Sequence, residues 1–122
     1  MRVSHVMAVF DGSREAERVL VAAAHEARDH HAPLSVVVLA AVEQPSRCCN
    51  LQTTAWNREL RRLAEEDRAR ATVLVPDDIP VDVRVREGRG HRAALAVARE
   101  LGCDLLLEPG RRRRAPRRSV LA

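Results

Sequence analysis

Apolar positions along this chain follow two alternating periods. Residues 3–10 (VSHVMAVF) read as a buried strand, closed by Asp11-Gly12-Ser13, a turn that also offers helix N-caps. Beyond it Ala16, Val19, Leu20, Ala23, Ala24 and Ala27 fall on one stripe of a helix, which His30-His31-Ala32-Pro33 stops. Residues 34–42 (LSVVVLAAV) are apolar at nearly every position, the pattern of a central strand covered on both faces. A polar loop from Gln44 to Thr54 leads to a second helix, with Trp56, Leu60, Leu63, Ala64 and Ala71 expected on its inner face. Asp77, Asp78 and Pro80 break the chain again.

Val81-Asp82-Val83-Arg84-Val85-Arg86 alternates strictly, so it reads as a strand at a sheet edge with one solvated face. Gly88-Arg89-Gly90 turns into a third helix, striped by Ala94, Val97, Ala98 and Leu101 and closed by Gly102. Strand four spans Asp104 to Glu108. Strand–helix units in succession predict an α/β fold, a doubly wound parallel sheet with right-handed crossovers and strand order 3-2-1-4. Its cleft is expected past the carboxyl ends of strands 1 and 4. The division expected is an α/β domain over 1–110 and an arginine-rich tail over 111–122. With no fifth strand, strand four is an open apolar edge, which predicts a homo-oligomer, at its simplest a dimer, joined along Leu105–Leu107.

Composition adds constraints. At 122 residues the chain is long enough for one real core, yet Phe10 and Trp56 are its only aromatic residues. Val, Leu and Ala must build that core. All 21 basic residues are arginine, each a permanently charged fork of donors. The net charge of +4 is uneven: residues 111–118 hold six arginines and no acid, leaving 15 arginines against 17 acids in the rest. The start does not read as a secretory leader, and the longest apolar stretch, Val36 to Val42, falls far short of a membrane span. A soluble cytoplasmic protein with no membrane partner is expected.

The chemistry-bearing motifs are few. Three cysteines, with Cys48 and Cys49 adjacent, give neither a disulfide framework nor a CxxC spacing; Cys103 reads as packing and the other two as loop thiols. His25, His30 and His31 lack a convergent ligand pattern, so no metal is expected. No GxSxG, HExxH, Walker-type or GxGxxG motif occurs, and no catalytic residue is assigned.

The opening "HVMAVFDGSREAERVLVAAAHEA", the second-strand "APLSVVVLAAVE" and the later "VDVRVREGRGHRAALAVARELGCDLLLE" together resemble universal stress proteins over residues 3–108. Some members of that family bind ATP and others do not. In those that do, the first-strand Asp contacts the sugar and the end of strand two contacts adenine. A glycine-rich loop after strand four, with a Gly-Ser/Thr helix start, holds the phosphates on backbone N–H groups. By position the resemblance implies Asp11, Gly12, Ser13, Ala41, Val42, Gly110, Arg111, Arg112 and Ser119 as nucleotide-binding candidates. Here, however, the loop has become Pro109-Gly110-Arg111-Arg112-Arg113-Arg114-Ala115-Pro116-Arg117-Arg118-Ser119. The last helix and fifth strand are expected to be missing, and Ser119–Ala122 to form no more than a first helical turn.

The resemblance therefore implies a non-enzymatic regulatory or protective interaction module with a degenerate nucleotide site. The alternative is an adenine-nucleotide binder that still takes ATP as its cofactor. A third reading is nonspecific association of residues 111–118 with nucleic acid or another polyanion. Two local features stay open: Asp11-Gly12-Ser13 is a nucleotide contact or a turn with an N-cap, and the arginine tail is a solvated end, a phosphate site or a nucleic-acid tether.

Overall fold

The computed structural model describes residues 2–43, 50–110 and 116–121. Strand β1 (Val6–Val9) is shorter than the apolar run around it. Its first residues are drawn off by a carboxylate: Asp104 accepts the backbone N–H of Ser4 at 2.8 Å and of His5 at 2.9 Å, and the Ser4 hydroxyl at 3.0 Å. Helix α1 (Arg14–His30) starts where the Ser13 hydroxyl accepts the Ala16 N–H at 3.1 Å, a cap worth about 1 kcal/mol. The expected stripe from Ala16 to Ala27 is buried in full. The helix ends with His31 in the left-handed region, and His30 pairs with Glu26 one turn back at 3.4 Å.

Strand β2 (Leu34–Ala40) lies between β1 and β3 (Val81–Glu87). It stops two residues earlier than expected because the Val42 N–H folds back onto the Ala40 carbonyl at 2.8 Å. Helix α2 (Asn50–Leu74) begins inside the stretch expected to be loop. It is also rotated from the expected face. Trp56 and Leu63 are exposed, while Asn57, Ala64, Ala71 and the following Val75 are buried. The buried Asn57 sets this rotation, accepting the Glu43 N–H and donating to the Glu43 carbonyl, both at 2.7 Å. Helix α3 (Gly90–Glu100) leads to β4 (Leu105–Glu108), and β5 (Arg117–Val120) completes the sheet.

The strand order is β3-β2-β1-β4-β5, with the first four strands parallel. The chain winds outward from β1 to β3, so α1 and α2 share one face, and α3 crosses back on the other. The doubly wound order is therefore as expected, with one correction. A fifth strand is present, antiparallel to β4, with Leu105 opposite Val120 and Glu108 opposite Arg117. Residues 117–120 form a strand, taking in Ser119 and Val120 of the Ser119–Ala122 stretch expected to be a first helical turn, and Leu105–Leu107 are no longer an open edge. Three leucines buried on both faces must have both backbone edges paired, and the returning segment supplies the second pairing.

Among the described residues no helix is long and apolar enough to cross a membrane. Cys103 is buried, and that burial pushes its thiol up to about 11. Cys48 and Cys49 lie outside the described residues.

The Asp104 latch makes a testable prediction. Burial alone would raise this carboxyl, but the hydrogen bonds from Ser4 and His5 outweigh it and hold it below the ordinary carboxylate range. Asp104→Ala should cost about 2–3 kcal/mol in urea unfolding at neutral pH, since several donors lose a charged acceptor. A carboxyl lowered in the fold stabilises above its unfolded value, about pH 4. The wild type's margin over the variant should therefore shrink as pH falls below that point and through the lowered native value.

Candidate functional site

Where the winding reverses, past the carboxyl ends of the neighbouring strands β1 and β4, lies a cavity of about 380 Å³. It lies past the ends of strands 1 and 4, as the topology requires. Val9, Phe10 and Asp11 line it from β1, Leu39 and Ala41 from the end of β2, and Gly88 to His91 from the turn into α3. Glu108 and Pro109 close it from β4, and Arg117 from β5.

The Asp11 carboxylate is engaged locally. One oxygen accepts the Ser13 N–H at 3.0 Å and the Ser13 hydroxyl at 2.5 Å, so the turn-and-cap role is present, with Asp11 also on the cavity wall. Gly12 is required by this turn. Its φ is +81°, and a Cβ there would sit 2.6 Å from Oδ1 of Asp67 on α2. Arg70 binds the same turn, donating to the Gly12 carbonyl at 2.9 Å, pairing with Glu17 and lying 5.9 Å from the centre of the Phe10 ring.

Of the other expected positions, Ala41 lines the cavity, with Arg89 Nη2 3.5 Å from its carbonyl oxygen. Val42 instead packs against the core, its N–H spent on Ala40. Gly110 follows Pro109 and is half-buried. Ser119 lies mid-strand opposite Leu106 and does not line the cavity. Arg111 and Arg112 lie outside the described residues.

Sequence reasoning missed the cavity's most distinctive pair. The Glu108 side chain is 9% exposed, and its Oε2 lies 2.5 Å from Nδ1 of His91 at the start of α3. Arg117 stands opposite Glu108 across the β4–β5 ladder. The available signal was an acid directly after Leu105-Leu106-Leu107, because acids are seldom buried without a partner. The resulting wall is mixed in charge, with Asp11 and Glu108 against Arg89 and Arg117, and His91 beside Glu108.

A mostly parallel sheet with a cleft at its switch point, framed by the Asp-Gly-Ser turn and the Gly88–Gly90 turn, defines a doubly wound α/β domain. Over residues 2–122 the chain matches the universal stress protein family, and it belongs to that family. Among solved structures it is similar to a universal stress family protein from Burkholderia pseudomallei, with 26% identity and a TM-score of 0.60 over 88% of this chain and 81% of that one. UspA from Lactobacillus plantarum, at 12% identity, shares the fold with a TM-score of 0.69 over 96% and 87% of the two chains. A universal stress protein in complex with cAMP shares it too, at 20% identity and a TM-score of 0.58 over 87% and 72%. No curated protein matches the chain in sequence.

Asp67, behind the Asp-Gly-Ser turn, gives this site its prediction. Burial and the nearby charges of Asp11 and Glu66 raise its carboxyl above the ordinary range. A carboxyl raised in the fold destabilises while ionised, and acid relieves it. Asp67→Asn should therefore raise the thermal midpoint at neutral pH by about 2–4 °C. The gain should vanish as pH falls through the raised value, where the wild-type group takes up its proton.

Proposed function

We propose that this chain is a non-enzymatic universal stress protein of the cytoplasm, acting as a regulatory or protective module through binding, with a degenerate nucleotide site. The supporting observation is that β5, with only residues 109–116 between, pairs antiparallel with β4. Among the described residues no helix follows β4, and none brings an N-terminus to the cleft from that side. Pro109 offers no N–H, and the buried Glu108 carboxylate stands where phosphate charge would gather. A triphosphate gripped in one pose needs convergent backbone donors, and side-chain arginines supply charge without that geometry. Self-association belongs to the same reading, through a surface other than the covered Leu105–Leu107 edge.

A second reading is favoured by the cavity itself. About 380 Å³ beside Asp11 and Ala41 falls within the range of small-ligand sites. A fold neighbour holds cAMP, whose single phosphate does not need a triphosphate cradle. The third reading, polyanion association through 111–118, rests on the six arginines there.

Isothermal titration with ATP–magnesium and with cAMP separates these readings. The proposal expects ATP–magnesium to bind no tighter than about 1 mM. Micromolar adenine-nucleotide binding abolished by Asp11→Ala would establish the second reading instead. Binding of any polyanion, lost when Arg111 to Arg114 are changed to Gln and weakened steeply by salt, would establish the third.

A further inference from the structure

Among the described residues β3 pairs with β2 alone and forms an edge of the sheet. Leu34 donates its N–H to the Pro80 carbonyl, and Gly88 donates its own to the Ala40 carbonyl, both at 2.9 Å. In a parallel ladder alternate residues address the neighbour, so Asp82, Arg84 and Arg86 turn their backbone groups to β2. The N–H and C=O of Val81, Val83 and Val85 therefore point away from the sheet. Such a row is a template for another strand.

The side chains along this edge divide by face. Val83 and Val85 pack against the core that α1 and α2 cover, and Val81, in the same phase, is 38% exposed. Asp82, Arg84 and Arg86 take the opposite face. Asp82 accepts the Ser35 hydroxyl at 2.7 Å and pairs with Nε of Arg84, while Arg86 reaches Glu100 of α3 at 3.8 Å.

We propose, resting on the reading that the chain self-associates, that β3 pairs antiparallel with β3 of a second copy about a twofold axis at Val83. One sheet then runs through both copies. An axis perpendicular to the sheet keeps every side chain on its own face. With Val83 opposite Val83 of the second copy, Val81 meets Val85, and the outward backbone groups of all these valines gain partners. On the other face Asp82 lies opposite Arg84 of the second copy, and Arg84 opposite its Asp82. Opposite charges and β-branched pairs facing across strands both stabilise. Slipping the pairing one step sets Arg84 against Arg84, and slipping it the other way sets Asp82 against Asp82. Charge thus selects one register. The order Asp82-Val83-Arg84 is its own complement, which is why the occupant is a second copy. Arg86 falls opposite Pro80 and takes no part in the match.

Amide hydrogen exchange of the whole chain across a dilution series, with sedimentation alongside, tests this pairing. The amides of Val81, Val83 and Val85 should exchange rapidly at about 1 μM and become protected at about 1 mM, as a dimer forms. Arg84→Glu sets an acid against Asp82 of the second copy and should weaken the dimer about tenfold or more. Val83→Pro removes an outward N–H from an edge strand, and should weaken it as much while keeping the wild-type circular dichroism. Arg86→Glu should leave the dimer unchanged. The wild-type dilution series decides by itself if a variant fails to fold. A chain still monomeric at about 1 mM overturns both this pairing and self-association. A dimer whose three valine amides exchange as fast as in the monomer overturns the pairing alone and moves self-association to another surface. Protection of those amides already in the monomer overturns it too, as does a dimer weakened equally by Arg86→Glu and Arg84→Glu.

Discussion

A strand that is apolar on both faces cannot end a sheet in water, and β4 is such a strand. Leu105, Leu106 and Leu107 are each at most 3% exposed, pressed between α1 on one side and α3 on the other. Their carbonyls and N–H groups need partners along both edges, because burying an unpaired peptide group costs free energy comparable to a lost hydrogen bond. β1 satisfies one edge and β5 the other. Only residues 109–116 separate β4 from β5, and the cavity is bordered on that side by the first residue of a strand, Arg117. The same covering that closes the core thus gives the cleft its mixed-charge wall.

Much of the fold was legible because periodicity follows burial. The α1 stripe, the two-sided β2, the edge position of β3 and the strand order all follow from spacing of apolar residues. Helix α2 was not, because its apolar positions spread over more than one face. Its orientation is decided by Asn57 gripping the Glu43 backbone, a polar contact that a search for apolar stripes discounts. β5 was missed for a related reason. Arg117-Arg118-Ser119-Val120 carries no strand pattern of its own and is held by what it covers. Of the cavity's lining, Asp11 and Ala41 had been named through the resemblance, whereas His91–Glu108 joins two elements and is visible only in three dimensions.

The opposite end of the sheet carries a polar chain that resembles catalytic machinery in composition alone. His5 Nε2 lies 2.8 Å from the buried Ser35 hydroxyl, which donates to Asp82 at 2.7 Å. The serine sits in the middle and gives its proton to the carboxylate, whereas an activated nucleophile would give it to the imidazole. Burial alone would raise Asp82, but Arg84 and Ser35 hold it below the ordinary range. The chain ties β1, β2 and β3 together where the sheet would otherwise bury a lone hydroxyl, and among the described residues no buried side-chain polar atom lacks a partner.

The Asp104 latch joins residues 100 positions apart, and the central strand β1 is flanked on one side by β4, which comes three helices later in the chain. During synthesis at about 5–20 residues per second, β1, α1 and β2 therefore emerge with one flank of the centre bare until β4 follows. The earlier elements cannot close this sheet alone, because the flank of β1 is completed only by β4 and the latch to Asp104.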